Sequence, residues 1–341
     1  MKIRQYSILI FFFFACLGLN LISFQGRLDN FGSEYNVPKA PPKSAQVDES
    51  FFKKVTYFAI DKNHPFMELN ATELNLSTTD GTVISFNPVG VVYRYEKDMT
   101  PLEPIHFSAQ KSRAFLNKKE IFLDNNVEVK SGNTTLNAQN ISILNHGEIL
   151  YAYNNVQTLS IVEKTSDQLL ITARSATYRP KEQIIEYKDN INGKVTRKKQ
   201  YEESVEFKTD LLTLNAPASH VEMKGNVFFK KENLDAQASR GEVFLENYNK
   251  RLKYYALYDD VRLQERLMNS GKPLTRKAFS EKLEGLISDK KIILTGLPKV
   301  FQEKDVIKGN RIIIRENVET VEVDDANTNI TLDKNKEKRN E

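Results

Sequence analysis

One cysteine serves the whole chain of 341 residues, and Cys16 lies inside an apolar run. Neither a disulfide framework nor a cysteine-based zinc or redox site can be built from it. The four histidines, His64, His106, His146 and His220, are scattered. None has a second histidine or a cysteine at ligand spacing, so each reads as a loop or surface residue. No Gly-x-Ser-x-Gly, His-Glu-x-x-His or nucleotide-binding glycine loop is present, which removes the common signatures of hydrolases, metalloproteases and nucleotide enzymes. The acidic pairs Asp259-Asp260 and Asp324-Asp325 fall where bends are expected and read as turn residues, not as a catalytic dyad. An excess of one charge is missing as well: 49 Lys and Arg stand against 45 Asp and Glu, a formal net charge of +4. That balance, spread along the chain, gives no support to nucleic-acid binding. Enzymatic activity, a cofactor and a metal are not expected.

Helical periodicity is also scarce. Thr275 to Leu286 and Phe51 to Lys54 are the best helical candidates, and both are too short and mixed to carry a fold. What is present is a strand pattern: short runs of β-formers broken by Asn-Pro, Asp-Gly and Gly. Within it a seven-residue phrase recurs, stated most clearly as Ile121-Phe122-Leu123-Asp124-Asn125-Asn126-Val127. It returns at Leu150 to Val156, Ile185 to Ile191, Val221 to Val227 and Tyr255 to Val261. A looser copy runs from Ile292 to Val300. Each copy has two apolar residues two apart, then a pair drawn from Asn, Asp and Gly, then a closing apolar residue. Repeats at this spacing dictate the architecture.

The Asn/Asp/Gly pair admits two structural readings. A two-residue hairpin turn would reset the facing of side chains across it. Instead Ile121, Leu123, Val127 and Val129 keep one parity, as do Val221, Met223, Val227 and Phe229. The pair is therefore predicted to be a bulge that bends one strand, with the reversals later, at Ser131-Gly132-Asn133 and Glu232-Asn233. A curved sheet with one continuous apolar face follows.

The ends of the chain differ from this body. Met1 to Gln5 carries Lys2 and Arg4, and residues 6–24 are almost wholly apolar. Nineteen helical residues rise about 28 Å, enough to span a bilayer, and the flanking cations place residues 1–5 in the cytoplasm. A cleaved signal peptide competes with this reading, but no good small-x-small site follows. A lipid anchor on Cys16 competes too, with Phe13 at its −3 position. The expectation is an uncleaved anchor. Residues 25–50, with Pro38, Pro41 and Pro42, read as a tether, and residues 333–341 as a charged, disordered tail. Two larger units lie between, 51–200 and 205–332, the first ending in the basic connector Lys194 to Gln200.

A cytoplasmic end, one apolar span, a tether and a repeated strand unit resemble the LptC family of the lipopolysaccharide export machinery. Lys224-Gly225-Asn226-Val227-Phe228-Phe229, Leu294-Thr295-Gly296 and Ile307-Lys308-Gly309-Asn310-Arg311-Ile312 are similar to LptA and OstA-type domains. The resemblance implies an all-β chain: an N-terminal transmembrane helix followed by two consecutive open, twisted β-jellyroll (OstA-like) domains in the periplasm, the second either a fused LptA-like module or a longer LptC variant. It implies that lipopolysaccharide acyl chains lie between the sheets. The residues expected to face them are Ile121, Leu123, Val127, Leu150, Val156, Ile185, Tyr187, Ile191, Val221, Met223, Val227, Tyr255, Leu257 and Val261. Arg197, Lys198, Lys199, Lys230 and Lys231 are candidates for the lipid's phosphates. The implied partners are the inner-membrane ABC transporter of the export machinery and an LptA-like or outer-membrane bridge component, joined by edge-strand addition. The competing reading is a polysaccharide-binding or polysaccharide-cleaving β-solenoid of the envelope.

Overall fold

A computed structural model describes residues 49 to 324, apart from 62, 78, 80, 97, 163–164, 199–203, 247–251, 270–271, 304, 317 and 319–320. The apolar segment 6–24, the tether and the tail lie outside the described residues. Among the described residues no helix is long and apolar enough to cross a membrane. The described residues, from Glu49 to Asp324, form one compact unit.

That unit is all-β. It opens with β1 (Glu49–Asp61), β2 (His64–Ser77), β3 (Thr82–Phe86), β4 (Val89–Tyr95), β5 (Pro101–Ser108) and β6 (Lys111–Phe115). Long strands make the centre: β7 (Glu120–Ser131), β8 (Thr134–Leu144), β9 (Ile149–Ile161), β10 (Gln168–Arg179), β11 (Ile184–Thr196), β12 (Val205–Asn215), β13 (His220–Lys231), β14 (Leu234–Leu245), β15 (Leu252–Asn269) and β16 (Lys272–Leu286). The unit ends in short pieces, β17 (Lys291–Thr295), β18 (Lys299–Gln302), β19 (Asp305–Lys308), β20 (Arg311–Arg315) and β21 (Val321–Asp324). Both helical candidates are strand, Phe51 to Lys54 in β1 and Thr275 to Leu286 in β16. Both stretches lie in antiparallel ladders, β1 on β2 and β16 on β15, and that pairing outweighs local helix propensity.

From β7 to β16 each strand pairs antiparallel with the next, and every described ladder in the unit is antiparallel. A parallel β-helix, the usual form of a β-solenoid, needs the opposite pairing. The ladder between β11 and β12 runs from Ile184↔Asn215 to Val195↔Val205, so the sheet continues across the basic connector.

The recurring phrase bends this sheet. Asn125 and Asn126 have φ of 64° and 49°, and the β7–β8 register slips by one residue between Asp124 and Val127. The same left-handed pair and slip recur at Asn154-Asn155, Asp189-Asn190, Gly225-Asn226 and Asp259-Asp260. Two consecutive left-handed residues suit Asn, Asp and Gly, whose side chains hydrogen-bond locally or are absent. The bends lie side by side. Asn140 Nδ2 donates to Asp124 at 2.8 Å, Asn226 Nδ2 to Asp210 at 2.7 Å and Arg240 Nε to Asp259 at 2.7 Å. The reversals fall where parity placed them, at residues 132–133 and 232–233.

Toward either end of the sheet the bend becomes a break. On one side β2 pairs with both β3 and β4; on the other β16 pairs with both β17 and β18. Each strand, or pair of strands, therefore contributes to two layers. The first layer holds Leu123, Tyr187, Met223 and Leu257, and the second holds Val127, Ile191, Val227 and Val261. Ring contacts show that the layers fold onto each other. Phe229 lies opposite Ala236 of β14 and Tyr255 lies opposite Val243. Seven residues of straight strand would separate them by about 23 Å, yet their ring centroids stack 4.8 Å apart. One apolar core fills the space between.

Candidate functional site

The interior between the layers is the concave apolar feature of the fold, and the recurring phrase builds it. Leu123 and Val127 both point inward because the extra residue of the bulge restores parity after the bend. Twelve of the fourteen residues expected to face inward are about 1% exposed or less; Ile185 and Val221 are half-buried and pack against the same core. Burial on this scale stabilises the fold by about 25 cal/mol per Å² of apolar area removed from water.

Space remains only in part of this interior. A hollow of about 210 Å³ is lined by Ile171, Val195, Val205, Phe207, Leu212, Leu214, Met223, Phe229, Val243, Leu245 and Leu252. Its lining residues come from β9 to β15, astride the junction of the two expected units. A second hollow of about 510 Å³ shares Leu169, Ile171, Leu214 and Ala216 with it and adds Tyr178, Ile185 and Tyr187. A third, of about 680 Å³, adjoins the second through Arg94, Leu102 and Lys181, and is lined by His64, Lys118, Lys119 and Glu148 among others. The run is apolar at one end and charged at the other.

Of the expected set, Met223 and Val221 line the first hollow, and Ile185 and Tyr187 the second. Ile121, Leu123, Val127, Leu150, Val156, Ile191, Val227, Tyr255, Leu257 and Val261 line none of the three. They are the packed floor. Sequence reasoning followed the phrase and passed over Phe207, Leu212, Leu214 and Phe229, which belong to the strand arms away from the bend. Alternation in Val205 to Leu214 was the signal that could have found them. Tyr187 is buried, which pushes its phenol well up, with the Thr158 side chain acting in the opposite sense.

The basic candidates divide. Arg197 Nη1 meets Asp167 Oδ2 at 2.9 Å, and the Lys198 backbone N–H donates to Asp167 Oδ1 at 3.0 Å. Burial acts to raise the Asp167 carboxyl, but these hydrogen bonds and the Arg197 charge outweigh it and hold the group below the usual range. Arg197 and Asp167 both line the 210 Å³ hollow. Lys231 turns inward and its Nζ meets Glu316 Oε2 at 2.6 Å. Both cations are thus held inside the fold. Lys198 is exposed, Lys230 is half-buried on the outer face of β13, and Lys199 lies outside the described residues.

One buried charge cluster was not anticipated. Arg276 and Glu265, both essentially inaccessible, pair at 2.9 Å. Arg276 also donates to Gln302 Oε1 at 3.0 Å and to the Val318 carbonyl at 2.9 Å. It ties the segment after β20 to the second layer. His64 and His146 both line the 680 Å³ hollow, His106 and His220 lie elsewhere, and among the described residues no group of His, Cys, Asp or Glu is placed to hold a metal.

A bent antiparallel sheet folded over a partly hollow apolar interior defines the class: an all-β fold. Comparison with known families gives the segment a nearer relation. Residues 206–320, about a third of the chain, match the family model "LptA/(LptD N-terminal domain) LPS transport protein", so this segment is an LptA-like domain. Among solved structures the chain is similar to LptH, described as the LptA homologous periplasmic component of the conserved lipopolysaccharide transport device from Pseudomonas aeruginosa. The identity is 11% and the TM-score 0.34, over 38% of this chain and 95% of that one. No curated protein matches the chain.

Proposed function

We propose that the chain is a periplasmic component of lipopolysaccharide transport, held at the inner membrane by residues 6–24. It shelters the acyl chains of the lipid between the two layers of a pair of open β-jellyroll modules. One observation carries this reading: more than half of the residues lining the apolar hollow, from Phe207 to Leu252, lie within the segment that matches the LptA and LptD family. An acyl chain entering there leaves water at about 25 cal/mol per Å², and the polar neighbours of the adjoining hollows lie on the side where a charged head would remain. On this reading residues 51–200 are the LptC-like module that receives lipid from the ABC transporter. The edges at β1 and at β19 and β21, unpaired on one side among the described residues, are where a preceding and a following component add strands.

Site-specific photo-crosslinking in cells tests it. A photoreactive residue at Leu212, Leu214 or Met223 should label lipopolysaccharide, while one at Thr213, on the outer side of the same strand, should not. Absence of lipid adducts at all three interior positions, under conditions where an established transport component is labelled, would refute the reading. The anchor is tested separately by sequencing the N-terminus of the mature protein: a start beyond residue 20 would show that 6–24 is removed.

A further inference from the structure

The two outer faces of the bent sheet differ in charge, and no run in the sequence announces it. On the outside of the first layer, from β11 to β21, cations and acids both occur and are matched to one another within and between strands. Lys188 pairs with Glu186 at 2.7 Å, Lys282 with Glu284 at 2.9 Å and Arg315 with Glu322 at 3.0 Å. On the outside of the second layer, over β11 to β19, the ladder positions carry lysine and arginine with only Glu206 and Asp235 as acids. Lys194 is matched to Glu206 and Arg266 to Asp235. Lys208, Lys230, Lys277, Lys299 and Lys308 belong to no described ion pair.

Three of these lysines converge. Register places Phe279 against Lys299, Lys299 against Lys308, and Lys277 against Phe301. Phe279 and Phe301 are 41% and 38% exposed, large for rings in the middle of a sheet, and they meet edge to face at 5.8 Å. Arg262 lies beside Phe279, held by Asp260 of the bend at 2.7 Å. Two aromatic rings framed by unmatched lysines thus cover one patch of β15, β16, β18 and β19.

We infer that this patch is a docking surface for a bilayer bearing anionic headgroups. The composition distinguishes this occupant from an acidic protein. Protein interfaces are depleted in lysine and favour arginine, whose planar fork matches a carboxylate. The unmatched cations here are all lysines, strongly hydrated point charges on flexible stems, which suit an adaptable layer of phosphates. The exposed rings supply the apolar anchor that such a layer accepts at its boundary. Sheet twist of roughly 20–25° per strand limits a flat contact to a few neighbouring strands. That separates this patch from Lys208 and Lys230 farther along the face. The inference does not depend on what the interior holds.

The test uses the full chain reconstituted in nanodiscs, with Cys16→Ser and Val306→Cys carrying an environment-sensitive fluorophore beside Phe301. A second label at Ile293→Cys, on the neutral face, is the reference. The expected result is a blue shift at position 306 in phosphatidylglycerol discs but not in phosphatidylcholine discs, lost in about 0.5 M salt as screening predicts. It should also be lost in Lys277→Glu/Lys299→Glu/Lys308→Glu with unchanged circular dichroism. The site-resolved signal keeps the patch distinct from any insertion of residues 6–24. No shift, an equal shift in neutral lipid, an equal shift at position 293, or a shift indifferent to the triple reversal would each overturn the inference, the first leaving an acidic protein as the occupant.

Discussion

At the residue scale the fold depends on a backbone state that few side chains accept. Asn125 and Asn126 are both left-handed inside β7, and a branched residue there meets its own carbonyl at a cost of about 1–2 kcal/mol per position. Asn125→Gly/Asn126→Gly should therefore leave the urea midpoint nearly unchanged, whereas Asn125→Val/Asn126→Val should lower it by about 2–4 kcal/mol-equivalent at constant slope. Equal midpoints for the two double variants would show that the bend does not need these conformations. Asp167 makes a second residue-scale case. Its carboxyl is held below its usual value in the folded state, so the stability it contributes is present above the unfolded value of about 3.9 and is lost as pH falls through the lower folded value. Asp167→Asn should be less stable than the parent at pH 7, and the gap should narrow as pH falls below the unfolded value of about 3.9. A gap independent of pH would mean that the loss is packing alone.

At the scale of the element, the unusual feature is how the inward face closes over glycine. Gly90, Gly193 and Gly285 lie directly across the ladder from Phe107, Phe207 and Tyr255. A Cβ on Gly193 would come within 1.9 Å of the Phe207 ring, and one on Gly285 within 2.0 Å of Tyr255. Each ring lies over its glycine, filling interior volume from the neighbouring strand, a device that also restores the packing a bare backbone lacks. Gly285→Ala should cost about 1–3 kcal/mol by overpacking. Combined with Tyr255→Leu it should cost less than the sum of the two, because the clash is already relieved. Additive losses in a double-mutant cycle would separate the two residues.

At the scale of the whole molecule, one sheet runs from β1 to β21, and its continuity across the basic connector rests on the β11–β12 ladder. Cutting the chain there exposes a long edge. A fragment of residues 49–197 should self-associate through the freed edge of β11, since an unpaired strand is a template for pairing. Size-exclusion chromatography with light scattering checks this: a fragment monomeric at about 100 μM would show that the edge is blunted by its own side chains, in the range where such species usually associate. The same continuity accounts for the position of the 210 Å³ hollow, which no single repeat could enclose.

The sequence determined the strand content, the bend and the reversals, because these are local. The left-handed preference of Asn, Asp and Gly, the parity of Ile121, Leu123, Val127 and Val129, and the turn at Gly132 each concern residues a few positions apart. It also marked which side chains turn inward, since parity along a strand is a local property too. Only the tertiary structure decided which of those inward residues border open space and which form the floor. That depends on how far the arms of β10 to β15 stand apart beyond the bend, a distance set by rings such as Phe229 and Tyr255 meeting across the layers. The partners of the charges were equally out of reach. Arg197 finds Asp167 thirty positions away, and Lys231 finds Glu316 eighty-five away. The contrast between a neutral outer face and a basic one appears only when the ladders align every second residue of strands distant in the chain.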